Sequence, residues 1–364
     1  MSKKNNLNTL VLGLEHFIDK IGYQCHEYAS NHISIRYLIS DKSGCSQVFA
    51  KKYDADIEIL PISKLKALFV VAKNIIKYRP EFIEVYDTGN MFFFYTVIAF
   101  LLNRRIVIIY RGGELQRHKG NKWSVNYYKH LIATKIAFKI VAKEKNIQEE
   151  YKLNNFPQDK IHFLHNCVPL ANAFPNKGKR EIDLLFLNSV RKSRNVPFLL
   201  DVIAELYKVM PELTVTIAGF NSLDEKNLSY DYEEEQYILR KIKRLGLEDV
   251  INVHGFVTNP MELQQNSKLF VFPAQIVFAN YSLLESMSAG CVPIVSNGEG
   301  ADLIVSENEG EVLELSISDW VEAIKMYLNN PELLEKKSQQ SIKRIEEEFS
   351  IKSWFSRMMD IRHD

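Results

Sequence analysis

The sequence predicts an α/β protein built from two doubly wound Rossmann-like domains facing a cleft. Three observations lead there. Short apolar runs rich in β-branched residues alternate with helix-length mixed segments, the pattern of parallel βαβ units whose sheet is covered on both faces. The alternation stops at PLANAFPNKGK, from Pro169 to Lys179, where two prolines and a glycine interrupt any apolar period, and it then restarts. At 364 residues the chain also exceeds one ordinary hydrophobic core.

In chain order, first-domain strands are expected at Thr9–Leu12, Ser34–Leu38, Phe82–Tyr86, Ile106–Tyr110, Ile140–Ala142 and Ile161–Leu164. Helices fit between them at Ser63–Tyr78, Met91–Leu102 and Val125–Phe138. Beyond the break, strands fit at Leu184–Leu187, Thr214–Ala218, Ile251–Val253, Leu269–Phe272 and Val292–Val295. The accompanying helices are Val196–Val209, Asp231–Leu245, Asn259–Gln265 and Ser282–Ala289. The stretch from Ser318 to Asp360 reads as mostly helical, and its charged run from Lys343 to Glu348 as a solvated helix face. The expected division is therefore a domain over 1–168, a linker over 169–180, a domain over 181–340, and a helical tail over 341–364 that packs back towards the first domain.

Hydrophobic residues make up 46% and charged residues 25%, the values of a folded globular chain rather than a disordered one. The net charge of +1 conceals an asymmetry: residues 1–170 hold 25 basic and 15 acidic side chains, the remainder 21 and 30. The basic half either meets an anionic surface or substrate or is simply solvated. Nothing points to nucleic acid. The four cysteines, Cys25, Cys45, Cys167 and Cys291, have neither metal nor redox spacing. His162 and His165 lack a third ligand, so no metal site is expected. The start, MSKKNNLNT, lacks the apolar core of a signal peptide. The longest apolar run, Met91 to Leu102, is shorter than the roughly 20 residues that cross a bilayer. The expected location is cytoplasmic, at the inner face of a membrane, with at most a peripheral contact with its anionic surface.

In doubly wound sheets ligands bind beyond the carboxyl ends of the strands, so the segments just after strands carry the candidates. In FANYSLLESMSAGCVPIVSN, Phe278 to Asn297, Ser282 and Glu285 have the spacing of a capping box, and Gly290 stands where a two-turn helix would end. Glu285 either ties down that helix start or accepts hydroxyls such as those of a ribose, while the amides around Tyr281 and Ser282 attract a phosphate. Asn188-Ser189-Val190-Arg191-Lys192-Ser193-Arg194-Asn195 follows a strand and is either a solvated basic turn or a diphosphate clamp. Arg111-Gly112-Gly113-Glu114 is either a tight turn with a surface ion pair or a place where a ligand approaches the backbone. Gly298-Glu299-Gly300 reads first as a plain turn, and Phe256 as a packed side chain that could instead seat a planar base.

These segments together resemble the GT-B-fold retaining glycosyltransferases of glycosyltransferase family 4, over nearly the whole chain and most specifically in the second domain. The resemblance rests on the Asn-containing turn after Ile161–Leu164, on Asn188, Ser189, Arg194 and Asn195 as counterparts of a Gly-Arg…Lys-Gly motif, and on Glu285-Ser286-Met287-Ser288-Ala289-Gly290-Cys291-Val292-Pro293 as the second half of the family's paired-Glu signature. It implies transfer of a sugar from a nucleotide-diphosphate sugar, a UDP-sugar favoured, to a glycan or lipid-linked hydroxyl, without cofactor or metal. It further implies donor-binding roles for Asn188, Arg191, Arg194, Phe256, Tyr281, Ser282 and Glu285, with Glu285 on the ribose. Arg111 and Glu285 would be catalytic, and Gly112, Gly113 and Glu114 would face the acceptor. Two positions depart from the family pattern: its first Glu falls on Val277, and the Arg of its diphosphate site on Ser189. Two alternatives stand beside this reading: a degenerate relative acting as a binding or scaffolding subunit, and a nucleotide-sugar epimerase of the same architecture.

Overall fold

The computed structural model describes residues 7–14, 24–25, 27–40, 54–86, 91–110, 124–143, 152, 155–171, 180–220, 231–257, 259–278 and 280–364. Two compact units emerge: residues 1–165 together with 351–364, and residues 166–350.

The first unit holds a seven-stranded sheet with the order β3-β2-β1-β4-β5-β6-β7. Its strands are β1 (Thr9–Leu12), β2 (Ile35–Ile39), β3 (Asp56–Ile59), β4 (Phe82–Tyr86), β5 (Arg105–Tyr110), β6 (Lys139–Ala142) and β7 (Ile161–Phe163), and every neighbouring pair is parallel. The central strands β1 and β4 are buried along their full length, which is why they read as runs that are apolar apart from Thr9 and Glu84. The β3 strand, DIEI, escapes that reading because an edge strand keeps its acids in solvent. Helices α1 (Lys64–Tyr78), α2 (Phe92–Leu101) and α3 (Val125–Ile136) follow β3, β4 and β5.

The second unit has a six-stranded sheet with the order β10-β9-β8-β11-β12-β13, again parallel throughout. The strands are β8 (Ile182–Leu187), β9 (Val215–Ala218), β10 (Ile251–His254), β11 (Ser267–Phe272), β12 (Val292–Ser296) and β13 (Glu311–Leu313). Around them lie α4 (Val196–Tyr207), α5 (Tyr232–Arg244), α6 (Pro260–Gln265), α7 (Tyr281–Ser288), α8 (Ile317–Leu328) and α9 (Pro331–Arg344). The core is continuous from Leu184 on β8 through Phe270 on β11 to Trp320 on α8. Strand order reverses between β8 and β11, so the crevice expected at a topological switch point opens beyond the ends of these two strands.

The tail divides at Ser350, not at residue 341. Helix α9 and the π turn Ile345–Phe349 stay with the second unit, where Ile345 and Phe349 complete the core and Val168 N–H donates to Phe349 O at 2.9 Å. Only the last helix, α10 (Ile351–His363), joins the first unit. Its Arg362, 2% exposed, forms a buried ion pair with Glu84 of β4. The same guanidinium donates to Thr9 Oγ1 at 3.0 Å and to the Tyr28 hydroxyl at 2.9 Å, and Tyr28 in turn donates to Glu84 at 3.0 Å. Tyr28 also stands edge-on to Trp354 and Phe355 of α10, at centroid distances of 6.0 and 5.5 Å.

Candidate functional site

Helix α7 is short because both its ends are stopped by side chains and backbone suited to the task. Asn280 is the N-cap, its Oδ1 accepting the Leu283 N–H at 3.2 Å. At the other end Gly290 takes a left-handed φ of +83°, Gly290 N–H donates to Met287 O at 3.0 Å and Cys291 N–H to Ser286 O at 2.9 Å, a paired arrangement that satisfies two orphan carbonyls. The expected capping box is therefore corrected. The helix cap lies two residues earlier than the Ser282 spacing suggested, at Asn280, and Ser282 sits in the first turn. Glu285, 4% exposed, lies on the buried side of a helix that does not need it as a cap. Tyr281 and Ser282 contribute the first two amides, whose N–H groups have no carbonyl within the helix to bond.

Four loops at the carboxyl edge of the sheet are laced around this helix start. In the loop after β8, Asn188 Nδ2 donates to Asn280 Oδ1 at 3.3 Å and Ser189 Oγ to Asn188 Oδ1 at 3.4 Å. Gly219, just past β9, lies directly beneath: at φ +118° it donates to His254 O at 3.1 Å, and a Cβ there would collide with Asn188 O. In the loop after β11, Gln275 N–H donates to Ser193 O at 3.0 Å. Glu299, after β12, donates its N–H to Gln275 O at 2.9 Å and accepts from Val277 and Phe278 N–H at 3.0 and 3.1 Å. Gly300, at φ +71°, lets that turn close over Phe278. The Gly298-Glu299-Gly300 segment thus serves as the turn that holds the loop leading to α7.

Arg194 is the cation this lattice ties to the loop leading into α7. Its Nη1 donates to Ile276 O at 3.1 Å, four residues before the cap, and its guanidinium lies 5.3 Å from the Phe272 ring centroid. Among the described residues no carboxylate pairs with it, and its buried Nε–H has no acceptor. Burial, and secondarily the charge of Arg191, hold the Arg194 guanidinium below its usual pKa. Arg191 is placed otherwise than the basic-clamp reading groups it: its side chain is largely exposed and its Nε reaches Asp231 Oδ2 at 3.5 Å, beside the start of α5. Phe256 follows β10, two strands from β8, and is exposed rather than packed. Val277 is fully buried in the core. Arg111, Gly112, Gly113 and Glu114 lie outside the described residues.

Asn280, Gly219 and Ile276 are the site residues that sequence reasoning missed. Asn280, three residues before Leu283, was legible as a cap; Gly219 and the Ile276 carbonyl were not, since their partners lie far away in sequence. Among the described residues no three His, Cys, Asp or Glu side chains gather as a metal site.

Two doubly wound parallel sheets, the second with its lattice of loops at the switch point, define the GT-B class of α/β proteins. Among solved structures the chain is similar to Alr3699/HepE of Anabaena in complex with UDP, with a TM-score of 0.78 at 12% identity over 97% of this chain and 98% of that one. It is also similar to a glycosyltransferase of Rickettsia africae ESF-5, with a TM-score of 0.76 at 13% identity over 98% of both chains. Residues 171–344, nearly the whole of the second unit, match the family model described as Glycosyl transferases group 1. The capsular polysaccharide biosynthesis glycosyltransferase CapH of Staphylococcus aureus is 26% identical over 203 residues, 55% of this chain. That match spans about half, 53%, of the length of the capsular protein.

Proposed function

We propose that the protein is a glycosyltransferase that takes a nucleotide-diphosphate sugar, a UDP-sugar by preference, and transfers the sugar to a hydroxyl of a glycan or lipid-linked acceptor. The observation that carries this reading is Arg194: a half-buried guanidinium with an unsatisfied Nε–H and no carboxylate partner among the described residues, tied to the loop that delivers the start of α7. A site that keeps a positive charge beside the loop leading into a helix start at a switch point suits a diphosphate. The UDP bound in the Anabaena structure supports the choice of nucleotide, as does UDP-glucose in another structure of that protein.

In this reading the diphosphate lies against Arg194 and the amides of Tyr281 and Ser282, and Glu285 accepts the two ribose hydroxyls. The bond from the sugar's anomeric carbon to the diphosphate breaks, the acceptor oxygen bonds to that carbon with retention, and the acceptor proton passes to the departing phosphate oxygen. Arg194 and the helix start stabilise the charge that develops on the leaving group, so the step needs no metal. Arg191 exchanges Asp231 for a phosphate oxygen when donor binds, and Phe256 covers the base. Arg111 acts near the transferred sugar, with Gly112, Gly113 and Glu114 towards the acceptor, at the cytoplasmic side of a membrane. Val277, apolar and buried where the resemblance calls for a sugar-binding Glu, favours one second reading, a non-catalytic nucleotide-binding subunit.

Thermal-shift titration with UDP, GDP and ADP tests the proposal. UDP should raise the melting temperature of the wild type, and Glu285→Gln should weaken that binding by about 10- to 100-fold, the worth of a charge-assisted hydrogen bond. No stabilisation by any of the three nucleotides overturns it. Stabilisation by UDP without turnover of UDP-sugars in the presence of glycan acceptors selects the non-catalytic reading.

A further inference from the structure

The face of the first unit formed by α1, α2 and α3 has the chemistry of a membrane-docking surface. Helix α2 packs beside α1 and α3. Its sequence, FFFYTVIAFL, contains no charged residue, and such a helix is ordinarily enclosed on all sides. Here Phe94, Phe100 and Leu101 are exposed, Leu101 by 73%.

Its neighbours repeat the feature. On α1 the core side chains Ala67, Val71 and Ile75 form one apolar stripe, and the exposed Leu65, Phe69 and Ile76 form a second. Phe69 is 71% exposed. Lys66, Lys73 and Lys77 run between the two stripes at helical spacing. On α3 the exposed residues Val125, Tyr128 and Ile132 recur at i, i+3 and i+7, with Lys129 and Lys135 alongside. The three helices carry six lysines and not one Asp or Glu. The solvated helices of the second unit differ: α5 opens with Glu233, Glu234 and Glu235, and α9 mixes Glu332 with Lys343.

We propose that this face docks on an anionic lipid bilayer. Exposed aromatic and aliphatic side chains set among lysines, without acids, match the boundary between acyl chains and headgroups: the apolar stripes enter it and the lysine stems reach back to lipid phosphates. Charge complementarity decides between occupants. Two copies of the chain meeting on this face would oppose six lysines with six lysines, whereas an anionic leaflet attracts them all. The inference does not rest on the nucleotide site, which lies in the other unit.

Flotation of the full chain with vesicles of phosphatidylcholine alone, and of equal parts phosphatidylcholine and phosphatidylglycerol, tests it. The protein should float with the anionic vesicles and be released by high salt. Each of Lys66→Gln, Lys73→Gln and Lys77→Gln should weaken binding by about fivefold. Phe94→Ser/Leu101→Ser should abolish it while the melting temperature and its response to UDP stay as in the wild type. No flotation with anionic vesicles overturns the proposal, as does flotation insensitive to the three lysine changes. So does sedimentation-velocity evidence of a dimer that Phe94→Ser/Leu101→Ser dissociates, which would give the face to a second copy. The lysine variants alter exposed side chains and keep the test decisive should the double variant misfold.

Discussion

Asn188 donates a hydrogen bond to Asn280 at 3.3 Å, linking the end of the first strand of the second unit to the cap of α7, 92 positions further along the chain. Asn280 Oδ1 thereby accepts from both Asn188 Nδ2 and Leu283 N–H. One oxygen holds the helix start in register with the loop that carries Arg194.

Asn280→Ala should lower the stability of the protein by about 1 kcal/mol, the ordinary worth of an Asn cap. Ser282→Ala should leave the melting temperature unchanged, because Ser282 lies inside the helix and caps nothing. Thermal unfolding of the two variants side by side checks the assignment; equal losses would return the cap to Ser282. Asn280→Ala should also reduce the thermal shift produced by UDP, as the first-turn amides lose their fixed position.

Gly219→Ala should be among the more damaging single changes in the second unit. The residue is held at φ +118°, a region essentially reserved for glycine, and the added methyl group would meet the Asn188 carbonyl. A cost of about 1–3 kcal/mol from the backbone alone is expected. The steric conflict falls on Asn188, so the response to UDP should suffer with stability. Urea unfolding and UDP titration of the variant measure the two effects.

Arg194→Met keeps the bulk of the side chain over Phe272 and removes its charge. UDP affinity should fall by about 10- to 100-fold, as for a lost charge-assisted hydrogen bond. Arg191→Ala removes an exposed side chain that must give up Asp231 to reach the phosphate, and should cost less than about fivefold. Isothermal titration with UDP discriminates them, and the reverse order would move the diphosphate to the mouth of α5.

Burial pushes the Cys291 thiol, which donates to Gln264 O at 3.0 Å, up to a pKa of about 12, and the Cys25 thiol up to about 11. Both are above the ordinary thiol value of 9.0, so at alkaline pH the unfolded chain sheds these protons first and stability falls. The loss should begin near pH 9 and continue through pH 11 to 12, with full stability retained below that window. Cys291→Ala should flatten part of the alkaline slope of the urea midpoint, and the native thiol should resist disulfide reagents at pH 8 until the protein unfolds.

Glu84→Gln strands the buried Arg362 charge and should destabilise the first unit by about 3–5 kcal/mol. Replacing both partners, Glu84→Leu with Arg362→Met, should be far milder, since no charge remains to be desolvated. Differential scanning calorimetry of the single and double variants tests this, with the UDP response of the second unit as an internal reference.

Much of the sheet architecture was legible because central parallel strands are buried on both faces. Thr9–Leu12 and Phe82–Tyr86, apolar apart from Thr9 and the paired Glu84, have the same ends in the sequence reading as in the structure. The edge strands Asp56–Ile59 and Glu311–Leu313 were not legible, since each has one side in solvent and carries acids. At the site, local signals were informative where the partner is local: Gly290 ends α7 as its spacing implied. They misled where Ser282 and Glu285 happened to have cap spacing while the cap lay two residues earlier, at Asn280. Relationships such as Arg191 with Asp231, or Gly219 beneath Asn188, come from adjacency across the sheet that no short window of sequence records.

The first unit is made from two pieces of chain separated by the whole of the second, and its final helix supplies Arg362 to a carboxylate on its central strand. Until that helix is translated, Glu84 has no guanidinium to neutralise it. The unit synthesised first is therefore completed last, and the second sheet can fold on the ribosome while the first still waits for its closing segment.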